Sequence, residues 1–402
     1  MKDLCPTGRD DGSGAAAVSI DLPRDPAPPR PLRPRIVPFF LPHAGCPHRC
    51  AFCDQHAITQ LSPTLAPPDP EPFVKQWLSS RPDNPEHVQL AFYGGNFLGL
   101  PPVRLQALLE AARRLIEGGW IGSLRFSTRP DTVDPERLAW LRGLPIACVE
   151  LGVQSMDDGV LAACRRGHTA SQTEAAAVAL KIAGYPVGMQ MMIGLPGEEA
   201  RSALVSGARI ARLAPSFVRI YPCLVLAQTP LAEWYHQGRY CPLSLEQAVT
   251  IAKRLWRLFA HRGIPVIRMG LQAAPEIGPQ CGLVAGPYHP AFGHLVHSAI
   301  CYDALALTMK KLPTAGRSIE ITVHPNRLSC VRGLKNANIQ KLTTRFEPAE
   351  IRVSVDPGLP AHRMRLCLNA VQYRPARKRH RKDSGPLPDA RLRYPTCRTL
   401  PV

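Results

Sequence analysis

No apolar run in this chain approaches the roughly 18 residues that a membrane-crossing helix needs. Residues 1–30 are polar and Pro-rich and lack the apolar core of a secretory leader. Both absences predict a cytoplasmic protein with reduced thiols and no membrane partner. There is no internal repeat. Acidic residues are scarce: 31 Asp and Glu face 49 Lys and Arg, for a formal charge of +18. That deficit favours an anionic partner such as a nucleic acid, although an Arg-rich surface without one gives the same number. Also absent is the second close pair of cysteines that a structural zinc site usually supplies. Of 13 cysteines, only Cys46, Cys50 and Cys53 crowd together.

Proline is abundant, with 43 residues that concentrate toward the ends. The stretch Pro26–Arg35 reads PAPPRPLRPR, too poor in apolar surface to order itself. From Arg374 onward, nine Lys or Arg stand against two Asp, a basic tail suited to phosphates or simply solvated. Between these ends the pattern alternates. Strand-like runs at 36–41, 88–93, 123–127, 147–153, 187–193 and 217–221 are separated by helical spacing at 103–116, 171–183 and 202–213. Strands that alternate with helices imply β-α-β units and a parallel sheet. Six units make a partial TIM-like (β/α)6 barrel in an α/β fold, with its chemistry at the C-terminal ends of the strands. A helix follows at 245–261, and 265–268 reads as one more strand. Ile319–Val323 and Glu350–Val355 then read as antiparallel strands of a small α+β domain. The expected division is a disordered segment over 1–34, the barrel over 35–262, the accessory domain over 263–372 and a basic disordered tail over 373–402.

The segment Cys46-Pro-His-Arg-Cys50-Ala-Phe-Cys53 has the spacing C-x-x-x-C-x-x-C, with an aromatic before the third Cys, directly after the first strand. Three thiolates on one short loop can each take one iron of a [4Fe–4S] cubane and leave the fourth iron open. A zinc site completed by His43, His48 or His56 is the other reading of these residues. A dense segment from Gly286 to His297 holds His289, His294 and His297. It reads as a cover for a substrate, as packing for the C-terminal domain, or as a second metal site.

The cysteine spacing, together with Tyr93-Gly94-Gly95-Asn96 after the second strand, is identified as that of the radical S-adenosylmethionine (SAM) superfamily. Ser127-Thr-Arg-Pro-Asp131, Glu150-Leu-Gly-Val-Gln-Ser155, Arg166-Gly-His168 and Arg219-Ile-Tyr-Pro-Cys-Leu-Val225 resemble the radical SAM half of the Elongator catalytic subunit and its bacterial relatives. The same positions are similar to those of oxygen-independent coproporphyrinogen oxidases. The resemblance covers roughly residues 36–240. It implies that the open iron takes SAM, whose reductive cleavage releases a 5′-deoxyadenosyl radical. It further implies that Gly94, Gly95 and Asn96 meet the methionine amino group and that Gln154 and Arg166 meet the ribose and carboxylate. Ser127 and Gln190 would line the same pocket, and Gly194-Leu-Pro-Gly197 would pass the adenine. A flavodoxin- or ferredoxin-type electron donor is implied as a partner.

Two departures limit what carries over. The spacing of the first two cysteines is shorter than in the Elongator subunit, and the region after residue 264 is too short for its acetyltransferase domain, so acetyl-CoA chemistry is not implied. The charge and the Elongator-like segments point to a tRNA base as substrate. A small molecule such as a tetrapyrrole, or a metal-bearing RNA-binding scaffold without turnover, are the readings the sequence leaves beside it.

Overall fold

The computed structural model describes residues 16–24, 26, 34–47, 49–55, 69–79, 84–271 and 282–369. The basic tail, His48 and His56 lie outside the described residues. The chain opens with β1 (Ala16–Asp21), β2 (Arg35–Phe40), α1 (Pro70–Ser79), β3 (Val88–Tyr93), α2 (Pro102–Glu117), β4 (Ser123–Thr128) and α3 (Pro135–Trp140). It continues with β5 (Ile146–Gln154), α4 (Asp158–Ala163), α5 (Ala170–Ile182), β6 (Val187–Ile193), α6 (Ala200–Arg212), β7 (Phe217–Pro222) and β8 (Val225–Leu226). Then come α7 (Pro230–His236), α8 (Leu245–His261), β9 (Val266–Met269), β10 (Leu283–Ala285) and α9 (Phe292–Met309). The C-terminal part adds β11 (Ser318–Val323), α10 (Leu328–Arg332), α11 (Ala337–Phe346), β12 (Glu350–Val355) and β13 (Arg363–Asn369).

Strands β2-β3-β4-β5-β6-β7-β9 lie side by side in chain order, all parallel, and curl into an open half-barrel. Alternation decides its two faces. Phe39, Leu90, Phe92, Phe126, Val149, Leu151, Met191 and Ile220 turn outward and are all but fully buried under the helices. Aromatic pairs strengthen that layer, with Phe97 stacked 4.6 Å from Phe92 and tilted against Phe126 at 4.7 Å. The intervening positions, among them Tyr93, Arg125, Ser127, Glu150, Gln190, Arg219 and Tyr221, face the concave side. The helices start where caps allow: Thr169 with Gln172 and Ser244 with Gln247 form reciprocal capping boxes at α5 and α8.

Three expectations change. The barrel sheet has a seventh strand, because β9 pairs with β7, so the sheet runs past residue 262. Residues 16–21, expected to be disordered, form β1 and pair antiparallel with β13. Polar flanks and prolines hid a strand whose partner lies more than 300 residues away. Finally, β11 and β12 are parallel, not antiparallel. The chain between them forms α10 and α11, and a helical crossover returns a strand in the same direction. The C-terminal sheet has the order β1-β13-β11-β12.

Deleting residues 1–24 tests the place of β1. Ile20 and Leu22 are 7% and 5% exposed, and their burial contributes roughly 3–6 kcal/mol. Amide exchange along β13 should quicken by about a hundredfold or more while the barrel amides hold. An unchanged β13 protection pattern would remove β1 from the fold.

Candidate active site

The three cysteines sit on the loop that leaves β2. That loop is tied down by main-chain bonds on both flanks. Leu41 N–H donates to Tyr93 O at 2.7 Å, His43 N–H to Gly94 O at 2.9 Å and Asn96 N–H to Ala44 O at 2.8 Å. Farther on, Ala51 N–H donates to Cys164 O and Leu231 N–H to Ala51 O, each at 2.9 Å. Phe52, the aromatic before the third Cys, packs on an apolar cluster that includes Met192, Leu195 and Tyr240. Gly95 permits this closeness: a Cβ there would stand 2.5 Å from the main-chain oxygens of both Leu41 and Ala44. The Gly-Gly pair therefore serves first to let the loop lie against the end of β3.

Asn96 was expected at the methionine amino group. It is fully buried, and its side chain is committed to protein. Nδ2 donates to Gly45 O at 2.8 Å. Oδ1 accepts from Thr128 Oγ1 at 2.8 Å, Arg129 N at 2.9 Å and Thr132 Oγ1 at 2.9 Å. The amide bolts the cysteine loop to the end of β4, so its polar atoms are engaged within the protein.

Arg166 is 7% exposed and joins the loop to β5. Its Nη1 donates to Cys50 Sγ at 3.4 Å and its Nη2 to Gly152 O at 2.6 Å. A Cβ on Gly152 would lie 2.8 Å from that guanidinium. Gln154 follows in a left-handed conformation, φ 66°, and accepts from Gln190 Nε2 at 3.4 Å. Ser127 stands in register with Glu150 on the same concave face. Gly194 is clasped at the end of β6, where its N–H donates to Glu198 Oε2 at 2.7 Å and its carbonyl accepts from the Tyr240 hydroxyl at 2.6 Å. Burial pushes Glu198 up to about 7 against those backbone bonds.

The thiols suit iron–sulfur ligation. Burial raises Cys46 despite the opposing charges of Arg166 and Arg129. Burial, then Cys50, pushes Cys53 up to about 12. Burial alone keeps such thiols protonated, and a coordinating metal would deprotonate them outright. A guanidinium can only donate, so the Cys50 sulfur is the acceptor of this bond, a role open to a thiol and stronger for a thiolate. Among the described residues, no three His, Cys, Asp or Glu side chains converge on one point as a single ion requires. The zinc alternative loses His43 Nε2, which accepts from Gln55 N at 2.9 Å. His289 caps the turn into α9 through Ala291 N, and His297 packs edge-on against Trp256, so that segment ties α9 to the barrel.

Sequence reasoning assigned no role to Arg129, Asp131 or His168. Arg129, 2% exposed, forks onto Asp131 with two 2.9 Å bonds, while its buried Nη1 makes no hydrogen bond. Burial, helped by the charge of Arg166, drives His168 down to about 3, so it is neutral near pH 7. The Arg-Pro-Asp spacing was the available signal for the first pair; His168 had none.

Residues 40–203 match the Radical SAM superfamily and residues 215–301 its Radical_SAM C-terminal domain. A tRNA uridine(34) acetyltransferase of Methanocaldococcus jannaschii is 35% identical over 132 residues, 32% of this chain and 24% of that protein. An uncharacterized protein of the same organism is 28% identical over 218 residues, 52% of this chain and 66% of the other. Among solved structures, the Elp3 of Methanocaldococcus infernus with an N-terminal deletion superposes with a TM-score of 0.53 and 22% identity, covering 68% of this chain and 64% of that one. The last likeness is one of fold.

Proposed function

The chain belongs to the radical SAM superfamily, and from that premise we propose an enzyme that holds a [4Fe–4S] cluster on Cys46, Cys50 and Cys53, binds SAM beside it and acts on a base of tRNA. When bound, these groups supply a reducing electron and, from SAM, the 5′-deoxyadenosyl radical that starts the chemistry. The chain's own residues do the rest. Arg166 steadies the Cys50 sulfur and, with Gln154, presents donors to the SAM carboxylate and ribose. Gln190 orients the Gln154 amide, and Ser127 lines the same pocket. The backbone of Gly94 and Gly95 meets the methionine amino group, with Asn96 holding the loop behind it. An electron donor of the flavodoxin or ferredoxin type completes the proposal.

The observation that carries this reading is Arg166, one buried guanidinium bonded at once to a cluster cysteine and to the end of β5. The tRNA reading draws on the +18 charge and on the segment shared with the tRNA uridine(34) acetyltransferase. That segment is 24% of the relative's length, so its acetyl transfer is not part of the proposal.

The test is an anaerobic assay. Reconstituted protein with dithionite should convert SAM to 5′-deoxyadenosine and methionine, and bulk tRNA should raise the yield. Gln154→Ala and Arg166→Ala should each weaken SAM binding by about tenfold, the worth of one good hydrogen bond to a charged ligand, and should leave iron content in place. A well-loaded cluster that yields no 5′-deoxyadenosine, even with cell extract as substrate source, would count against an enzyme.

A further inference from the structure

The concave face of the barrel carries a charge cluster that the cysteine site does not use. Glu150, 5% exposed, stands at its centre on β5. Arg219 Nη2 donates to Glu150 Oε1 at 3.0 Å, and its Nε lies 2.9 Å from Oε2. Arg125 Nη2 lies 3.3 Å from the same carboxylate. The Tyr93 hydroxyl also donates to Glu150 Oε1, at 2.9 Å. Two guanidinia thus share one carboxylate, and the cluster keeps a net charge of +1. Its bonds are incomplete as well: the buried Nε of Arg125 makes no hydrogen bond, and the Nε of Arg219 is close to the carboxylate but off-line.

A surplus buried cation is costly unless an anion answers it. The outer face of these strands is sealed by apolar side chains. The concave face is not: Tyr93, Ser127, Gln190, Arg219 and Tyr221 are all half-buried there. Ser127 and Gln190 also belong to the rim beside the cysteine loop. An anion entering from that side would meet the arginines before it met the sealed core.

We infer that Arg219 and Arg125, held apart and oriented by Glu150 and Tyr93, form a binding site inside the barrel for a phosphate group of a nucleotide substrate. The planar guanidinium fork suits phosphate oxygens. The site rests on the tRNA reading given above for the choice of phosphate over carboxylate, and fixes where a substrate would be gripped rather than how SAM is bound. Glu150 and Tyr93 are positioning residues.

Reconstituted full-length protein would be titrated with uridine 5′-monophosphate and with uridine. The monophosphate should bind about tenfold more tightly. Arg219→Gln should bring the two within about twofold, and Arg219→Lys, which keeps the charge and loses the fork, should fall between. Equal affinity in the unmodified protein, or a preference that survives Arg219→Gln, would overturn the site. Should the variants fail to fold, the unmodified protein decides. The monophosphate should protect Arg219 from phenylglyoxal, mapped by mass spectrometry, and no protection would overturn it.

A tetracarboxylate porphyrin serves as a second probe. If it binds through Arg219 and the monophosphate does not, the phosphate assignment and the tRNA reading both fall while SAM cleavage stands. If SAM cleavage fails but the phosphate preference persists and depends on Arg219, the site stands without the catalytic reading.

Discussion

Protein with Cys46, Cys50 and Cys53 all changed to Ala should emerge from anaerobic reconstitution with background iron, against about four irons per chain for the unmodified protein. The expected loss is complete because the substitution removes all three of the cluster's thiolates. Three thiolates fix three irons, and one or two thiolates hold a cubane poorly. Cys164, whose carbonyl anchors the loop at Ala51, is itself buried, and burial raises its thiol. Cys148 and Cys223 are buried as well, and burial pushes each up to about 12. The variant should nevertheless keep its far-UV circular dichroism, because the loop's main-chain anchors involve Leu41, His43, Ala44 and Ala51 rather than the thiols. Retention of a full cluster in the triple variant would sink the assignment. One zinc and no iron in protein purified anaerobically would favour the structural alternative.

The second large effect falls on stability. Asn96→Ala removes four side-chain hydrogen bonds from a fully buried position. Two of the orphaned partners can recover. Thr132 Oγ1 can turn its single proton to Arg129 O, 2.9 Å away, and the Thr128 and Thr132 hydroxyls lie 3.2 Å apart. Gly45 O and Arg129 N have no such replacement in view. Each buried group left unmade costs about 1–3 kcal/mol, so the variant should lose roughly 2–5 kcal/mol, in the upper range for a single substitution. Urea unfolding should show a lower midpoint with an unchanged slope. The cysteine loop should loosen with it, seen as poorer cluster loading at equal protein. A residue that served only as a SAM ligand would behave otherwise: Asn96→Ala would then weaken SAM binding and leave the urea midpoint where it was. That result would return Asn96 to the role its position after Gly94-Gly95 suggests from sequence.

The case of Asn96 shows where reading the chain succeeds and where it stops. The motif Gly-Gly-Asn is visible as a string, and its place at the end of a strand is predictable. What the amide bonds to is not. Gly45 is 51 residues before it and Thr132 is 36 after it, and no local spacing relates them. Glu150 is similar: its partners lie 57 residues before it and 69 after it in the chain. The alternation of β5 puts Glu150 on one face, but only the curl of the sheet brings Tyr93, Arg125 and Arg219 to the same carboxylate.

The sequence by itself determined the cysteine loop, the six strands β2 to β7, the helices α2, α5, α6 and α8, and the place of Gln154 at the end of β5. These follow from periods of two and about 3.6 residues and from a spacing within eight residues, all short-range properties of the chain. Tertiary structure alone decided that β1 leaves the N-terminal segment to pair with β13, that β11 and β12 run parallel, and that β9 adds a seventh strand to the barrel. It also decided that Arg166 bridges Cys50 to Gly152 and that two arginines share Glu150. Pairing across long loops depends on which edge or buried charge is left to satisfy once the rest of the chain has packed, and that is a property of the folded whole.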